Sequence, residues 1–534
     1  MNKMNGAQHQ HVTRRSFVAG TGAALAGAAV CAASVGSAAH ASEAGSESFD
    51  QTYDVIVIGY GTAGGTAAFY AAKSGAKVLL VDSAPKGEEG GNSRFCGQIA
   101  MYTEDIDGLK GYLTNLGWEM DQDADVIDAY ARGLATTPDI MRDLGAEEPC
   151  IWSEYAKTHQ AGEQTAGMDI AAIYGWVCPE YPELGHADAV DCVTVHDNCF
   201  DGQLYATVQG AVEGQSGITV WLESPAKHLV QADDGTITGA IIEHEGTDVR
   251  VGANKGVVLA CGGFECNRQM VQDYLGVPRV APIGGLHNFG DGVRMGIEVG
   301  ADLWHMHNYE SLGMLGGNAY EVADGERCKL FMSSGFQPAT QGAIVVVAED
   351  GSRYFREDYI DRHGHVYSHG TWRIPNQSYR PFMVIDEQQK SYIEELKLMP
   401  DNEADIIVSA DTAEELGEKI GVDPDILART IERFNGYAQT GEDIEFDRPA
   451  ESMRAFEGTL YALPLQPAML NTQGGPRRNA KAQVVDTEGE PIPHLFSAGE
   501  CGGVNAYYYQ GTGNIGECLV FGKIAGTNAA QDVE

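Results

Sequence analysis

Gly59-Tyr60-Gly61-Thr62-Ala63-Gly64 is a Gly-x-Gly-x-x-Gly run, and its chemistry is that of holding phosphate. Gly59 permits a tight turn, Gly61 lets backbone approach a pyrophosphate, and Gly64 lets a helix pack closely on its strand. Thr62 and Ala63 open that helix, whose free amides and positive end favour an anion. Asp82 follows at the distance from which a carboxylate accepts from a ribose hydroxyl. Gly91, Asn92 and Ser93, just beyond, offer backbone and small polar donors. Near the far end stands Tyr507-Tyr508-Tyr509-Gln510-Gly511-Thr512-Gly513. Phenols and backbone amides in such a run are able to hydrogen-bond an oxygen that gains charge. Tyr507 and Tyr508 offer flat apolar walls to a ring system.

Those groups work only if regular elements hold them. Tyr53–Ile58 reads as a buried parallel strand, a short β-branched run bounded by glycine. An Ala-rich helix follows to about Ser74, with Gly75 as its stop, and Lys77–Val81 is the next strand, closing on Asp82. Pro491–Ser497 is a late strand running into Gly499 and Glu500. A nicotinamide domain has no use for a contact segment so far along the chain, whereas an extended FAD does, so FAD is the expected cofactor. Ile515, Leu519, Phe521 and Ile524 lie near one face of a final core helix. Its start at Gly513-Asn514 aims a positive dipole end at the flavin.

Composition bounds the rest. The 534 residues are 43% hydrophobic and 21% charged, ordinary globular values that exclude disorder, collagen and coiled coil as main readings. The formal net charge of −41 repels phosphate backbones and anionic membranes, which argues against nucleic acid as a partner. Thr13-Arg14-Arg15-Ser16-Phe17-Val18 is a twin-arginine pattern. An Ala/Gly-rich stretch leads from it to Ala39-His40-Ala41, so residues 1–41 are expected to be an export signal, giving a periplasmic or extracytoplasmic protein. Eleven cysteines contain no Cys-x-x-Cys, so ribbon, ferredoxin-type and haem spacings are missing and free buried thiols are the default, with a cluster built from scattered cysteines left open. His305, His307, His363, His365 and His369 lack a carboxylate partner pattern and read as solvated or hydrogen-bonded, not as metal ligands.

Taken together, Gly59–Gly64, Gly90–Ser93, Ala260-Cys261-Gly262-Gly263-Phe264, Gly290-Asp291-Gly292, Gly474-Gly475, Ser497–Glu500 and Gly511–Gly526 resemble the FAD-dependent fumarate reductase and succinate dehydrogenase flavoprotein family. That family includes urocanate reductase and 3-ketosteroid dehydrogenases. The nearest style is that of twin-arginine-exported flavin reductases such as cardiac glycoside reductase. The resemblance implies an α/β fold: a doubly wound, Rossmann-like FAD domain at about 50–321 and 463–534, split by an inserted α+β capping domain at 322–462. The helical segments Asp411–Gly421 and Asp423–Tyr437 support the interruption. It carries flavin contacts onto Gly59, Gly61, Thr62, Ala63, Gly64, Asp82, Ser83, Gly91, Asn92, Ser93, Gly97, Ala226, Ala260, Gly262, Asp291, Gly499, Glu500, Asn514 and Ile515.

The same resemblance implies a cap arginine that protonates one alkene carbon while flavin N5 gives hydride to the other. Arg362 is the best counterpart, and Tyr359 a competing donor. The family's glutamate–arginine relay falls where this chain is shortened, at Pro338–Ala343. Its carboxylate-binding cations are replaced by neutral amides at Gln337, Asn505 and Gln510. A dicarboxylate needs charge-assisted partners to leave water, so fumarate is not the expected substrate. Tyr509 and Gly513 match the spacing by which ketosteroid dehydrogenases hold a carbonyl oxygen. The expected activity is reduction of an enone-like double bond, with electrons from a separate, membrane-held cytochrome. An oxidative ketosteroid-type dehydrogenase, a reductase of an unsaturated acid and a non-catalytic flavoprotein are the alternatives.

Overall fold

Val55-Ile56-Val57-Ile58 is β-branched and almost wholly buried, the pattern of a strand covered on both faces. In the computed structural model it forms strand β1 (Gln51–Ile58) at the centre of the main sheet. The structure describes residues 48–164, 169–311, 317–328, 338–358, 362–363, 366–368, 371–373, 378 and 380–531. The twin-arginine segment, Gln337, Tyr359, His365 and His369 lie outside them. Helix α1 (Thr62–Lys73) leaves β1 through the glycine turn and returns as strand β2 (Val78–Val81). Outward from β1 run β2 and β3 (Ile218–Trp221) on one side; on the other come β4 (Thr247–Leu259) and β5 (Pro491–Ser497). All of these pairs are parallel.

Alternation along the strands sorts the two faces. Val55, Val57, Val78 and Leu80 pack beneath α1 and helix α2 (Gly513–Gln531). Ile56, Ile58, Leu79 and Val81 face the strands Ala226–Gln231 and Ile237–His244 and Met295 of the helix Asp291–Glu298. A sheet covered on both faces is the doubly wound arrangement. One expectation needs correction: α2 is buried around its whole circumference over most of its length, not on one face. It runs between α1 and the helix Ala124–Leu134, and Gly522 and Gly526 allow the approach. A Cβ on Gly522 would lie 2.7 Å from the Ala63 carbonyl oxygen.

A second sheet is built on the long strand Leu460–Met469. Phe382–Asp386 and then Ile344–Val347 extend it, while Asn318–Tyr320, Val408–Ala410 and Ala281–Pro282 also pair with the long strand. The helices Ala413–Ile420 and Pro424–Thr440 cover one face, burying Leu416, Leu427 and Phe434 against Val345 and Val384. Asp423 caps the longer helix by accepting from the Ile426 amide, with Pro424 at its first position. This is the α+β capping domain. Its inner hairpin is tied by a buried ion network: Arg353 is bidentate on Glu357 at 2.8 and 2.7 Å and meets Asp443 at 3.0 Å. Arg448 joins Glu357 at 3.1 Å and satisfies the carbonyls of Thr340 and Ile344. Removing one partner of such a network strands a buried charge, at about 3–5 kcal/mol.

The cysteines also need correction. Cys178 and Cys192 are joined by a disulfide, and eight further cysteines among the described residues are free. No helix among the described residues is long and apolar enough to cross a membrane.

A Gly526→Val substitution drives a branched side chain into the Ala67 backbone of α1. Overpacking of this kind is expected to cost about 1–3 kcal/mol, read as a lowered midpoint in urea with an unchanged slope.

Candidate active site

The glycine turn is built for backbone, not side chains. Gly59 holds φ +105°, where a Cβ would strike the Ala260 carbonyl, and a Cβ on Gly64 would collide with the carbonyl of Gly59. Gly61 is less crowded: a Cβ there would lie 3.5 Å from the Gly90 carbonyl oxygen and the Ser93 hydroxyl, ordinary van der Waals contact, at the edge of the cleft. Beside it, the hydroxyls of Thr62 and Thr66 are buried with no hydrogen-bond partner. Asp82 accepts from the Tyr60 amide at 2.7 Å and the Ala84 amide at 2.8 Å, one through each oxygen. Burial raises its pKa against those two bonds, and each oxygen keeps acceptor capacity for a ribose hydroxyl. An uncrowded glycine at a helix N-terminus, an unpartnered hydroxyl and a fixed carboxylate fit the adenosine diphosphate portion of FAD.

Gly59, Gly61, Thr62, Ala63, Asp82, Ser83, Gly91, Asn92, Ser93, Ala226, Ala260, Gly262, Asp291 and Glu500 line this one cleft. Gly64 and Gly499 do not line it; they act beneath it, Gly64 under Gly59 and Gly499 against Ala63. Asn92 spends its side chain on the protein, donating to Glu265 at 2.8 Å and Glu500 at 3.0 Å and accepting from the Gly285 amide. Burial, with Glu265 close by, holds the Glu500 carboxyl well above its usual range.

Past Asn92, Ser93 and Glu500 the cleft opens into a cavity of about 450 Å³, a size that accepts a small organic molecule. Gly97, Asn514 and Ile515 line it, with the α2 N-terminus behind them. Ile173, Trp176, Val177, Phe200 and Leu470 make its walls apolar. Among its polar groups are Glu180, Glu310, Tyr509, Arg356, Asp358, Arg362 and His363, beside Gln98, Asn471, Glu500 and Thr512. Every cation among them is committed to a carboxylate: Arg356 to Asp358 at 2.7 and 3.1 Å, Arg362 to Glu183, and His363 to Glu180 at 2.6 Å.

The expected substrate residues separate here. Tyr509 and Arg362 line the cavity. Gln510 does not: it is fully buried, its oxygen accepts from the Tyr112 hydroxyl and the Glu180 amide, and its nitrogen donates to the Val177 carbonyl. Tyr507 packs on Trp118 and Tyr508 on Tyr181, both away from the cavity. Asn505 reaches Asn514 at 3.4 Å and is likewise off the lining. The Gly513 amide is already donated to the Gln510 carbonyl at 2.7 Å, so it is not available as an oxyanion donor. Consecutive side chains in an irregular segment point in different directions, so one tyrosine of three reaches the site.

Glu180 and Glu310 carry no sequence motif, and His363 stands between them. Its Nδ1 is hydrogen-bonded to Glu180 at 2.6 Å, and its Nε2 lies 3.5 Å from Glu310. Tyr509 and Glu310 line the same cavity as neighbours, and Asn471 donates to the Glu310 carboxyl at 2.6 Å. Burial raises Glu310 to about 7, opposed by His363 and Tyr509.

The profile of the FAD binding domain family matches residues 54–515. The chain belongs to that family of flavoproteins, and its cofactor is FAD. It is 28% identical over 488 residues to the probable fumarate reductase of Shewanella frigidimarina, covering 90% of this chain and 75% of the relative. With the digoxin reductase of Eggerthella lenta it shares 27% over 530 residues, 89% and 87% of the two chains. The fold matches the 3-ketosteroid Δ1-dehydrogenase of Sterolibacterium denitrificans with a TM-score of 0.69 at 20% identity, covering 90% of this flavoprotein and all of that chain.

The geometry separates two glycine variants. Gly61→Val is expected to leave the fold intact, because a Cβ there makes only ordinary contacts while its methyls crowd the cofactor cleft, so the purified protein is expected colourless with an unchanged circular dichroism spectrum. Gly64→Val clashes with backbone and yields little soluble protein. Flavin released on denaturation, per folded chain, checks both.

Proposed function

We propose that this flavoprotein is a reductase that adds hydride and a proton across a carbon–carbon double bond conjugated to a carbonyl, in a neutral, largely apolar substrate with a ring system. The coarser class is an FAD-dependent oxidoreductase acting on CH–CH groups. The observation that carries the finer reading is that, among the described residues, both cavity arginines are already paired with carboxylates, Arg356 with Asp358 and Arg362 with Glu183. A dicarboxylate entering such a site would lose water without gaining an uncommitted cation as partner. A neutral carbonyl meets the Tyr509 phenol, 2% exposed, and apolar walls.

Bound FAD, once reduced, supplies the hydride at N5. The chain does the rest: Phe200 and Leu470 exclude water, Tyr509 offers a hydrogen bond to the oxygen that gains charge, and the α2 N-terminus adds positive potential from behind Asn514. Arg362, paired with Glu183, lines the cavity, and Arg362 and Tyr359 are the two candidate donors of the carbon-bound proton that the family resemblance implies. Reducing equivalents come from a separate electron-transfer protein, a membrane-held cytochrome being the proposed donor. Residues 1–41 are proposed to direct export by the twin-arginine route.

Dithionite-reduced protein mixed in a stopped-flow cell with 3-ketosteroid enones, cinnamate, urocanate and fumarate tests the reading. A neutral enone is expected to restore the oxidised flavin spectrum at least about tenfold faster than fumarate. Tyr509→Phe is expected to slow that step by about 10²–10³, the loss typical of one oxyanion donor, with flavin content unchanged. Full-speed reoxidation by fumarate contradicts the proposal.

A further inference from the structure

Resting on that reading, one question is open: by what route the proton arrives. Arg362 faces Glu183, and the cap relay implied by family resemblance is shortened here. Behind Tyr509, however, stands a chain of groups that the hydride chemistry does not itself require. Tyr509 neighbours Glu310 on the cavity lining, Glu310 faces His363 Nε2 at 3.5 Å, and His363 Nδ1 bonds Glu180 at 2.6 Å. Glu310 and Glu180 side chains are 2% and 5% exposed, while that of His363 is 13% exposed and is the member nearest water.

Gly511 holds the chain in place twice. Its amide donates to Glu180 at 2.8 Å, and a Cβ on it would collide with the His363 ring. Asn471 fixes the other oxygen of Glu310 at 2.6 Å. Of the two hydrogen-bond states open to Tyr509 and Glu310, only one serves a substrate. With Glu310 ionised, the phenol must donate to it and is turned from the cavity. With Glu310 protonated, the carboxyl donates to the phenol oxygen, and the phenol hydrogen is free to point at a bound carbonyl.

We infer that Tyr509, Glu310, His363 and Glu180 form an oxygen-side proton relay, with protonated Glu310 switching the Tyr509 hydroxyl toward the substrate. Hydride on the β carbon converts C=C–C=O to an enolate. The Tyr509 O–H bond breaks as the enolate oxygen gains that proton, giving an enol. The phenolate takes the proton of Glu310, Glu310 is recharged through His363 and Glu180, and the enol becomes the saturated ketone by moving its proton to carbon. One hydride and one proton are consumed, the proton coming from water. The charged and titratable groups facing Glu310 are His363, Glu180, Tyr509, Glu500 and Cys96. Burial holds Glu310 at about 7, so it carries its proton below neutral pH and loses it above.

The test uses the FAD-loaded full chain. Infrared difference spectra of protein labelled with ¹³C-carboxyl glutamate are expected to show a protonated carboxyl band that fades as pH rises through about 7 and is missing in Glu310→Gln. In single-turnover reoxidation by a cyclic enone, the wild-type rate is expected to fall above neutral pH. Glu310→Gln and His363→Gln are expected to lower it by about 10²-fold or more, to abolish that pH limb, and to leave enone dissociation constants within about threefold. Gly511→Ala, which displaces His363 without removing a relay group, is expected to flatten the limb in the same way. A Glu310→Gln protein with wild-type rate and pH profile overturns the relay, as does a carboxyl band that still titrates near about 7 in that variant. If no enone reoxidises wild-type protein, the substrate reading fails, and the carboxyl titration decides the Glu310 proton by itself.

Discussion

Backbone packed directly on backbone is the constraint from which the site follows. At Gly59 the chain crosses Ala260 with no room for a side chain, and Gly64 comes back under Gly59. Because α1 begins that close to the sheet, its N-terminus opens onto the cleft rather than standing off from it. Gly522 and Gly526 extend the same contact to α2, so a second helix N-terminus, at Gly513, reaches the far end of the cleft. Two positive helix ends thus bracket the long, anionic cofactor. A single β-carbon at any of these crossings separates elements that hold no other side chain able to restore the distance.

Along this line the protein buries carboxyl groups, and each is held differently. Asp82 is tied by two backbone amides, Glu265 and Glu500 share Asn92, and Glu310 is held by Asn471 beside Tyr509. Burial acts against ionisation at each site, and the supply of donors decides how far. Asp82 has two fixed amides on its oxygens. Glu500 has amide side chains and a neighbouring acid, and burial pushes its carboxyl well upward. Glu310 sits between these limits, which is the condition for a group that must both hold and release a proton near neutral pH.

Local signals with a fixed geometry were legible in the sequence. The glycine turn, β1, α1, Asp82, the late strand β5 and the two cap helices all follow from period, propensity and caps acting within a few residues, and the FAD family resemblance rested on the same segments. The cavity was legible only in part. Tyr509 stands in a run of three tyrosines, and nothing in composition says which one turns inward; that is set by Tyr508 packing on Tyr181 and by Gln510 anchoring between Tyr112 and Val177. Glu180 and Glu310 lie 130 residues apart in the chain and meet only through His363, so no local spacing announces them. The Gly513 amide failed as an oxyanion donor for a similar reason, since its partner is the carbonyl of Gln510 in the turn that starts α2.

The account turns on where a substrate oxygen sits. A crystal structure of the FAD-loaded protein with a bound cyclic enone is the most direct measurement. The carbonyl oxygen is predicted within hydrogen-bond distance of Tyr509 Oη, about 2.5–3.0 Å, with the ring against Phe200 and Leu470. An oxygen found instead on the guanidinium of Arg356 or Arg362, with Tyr509 still turned to Glu310, contradicts it.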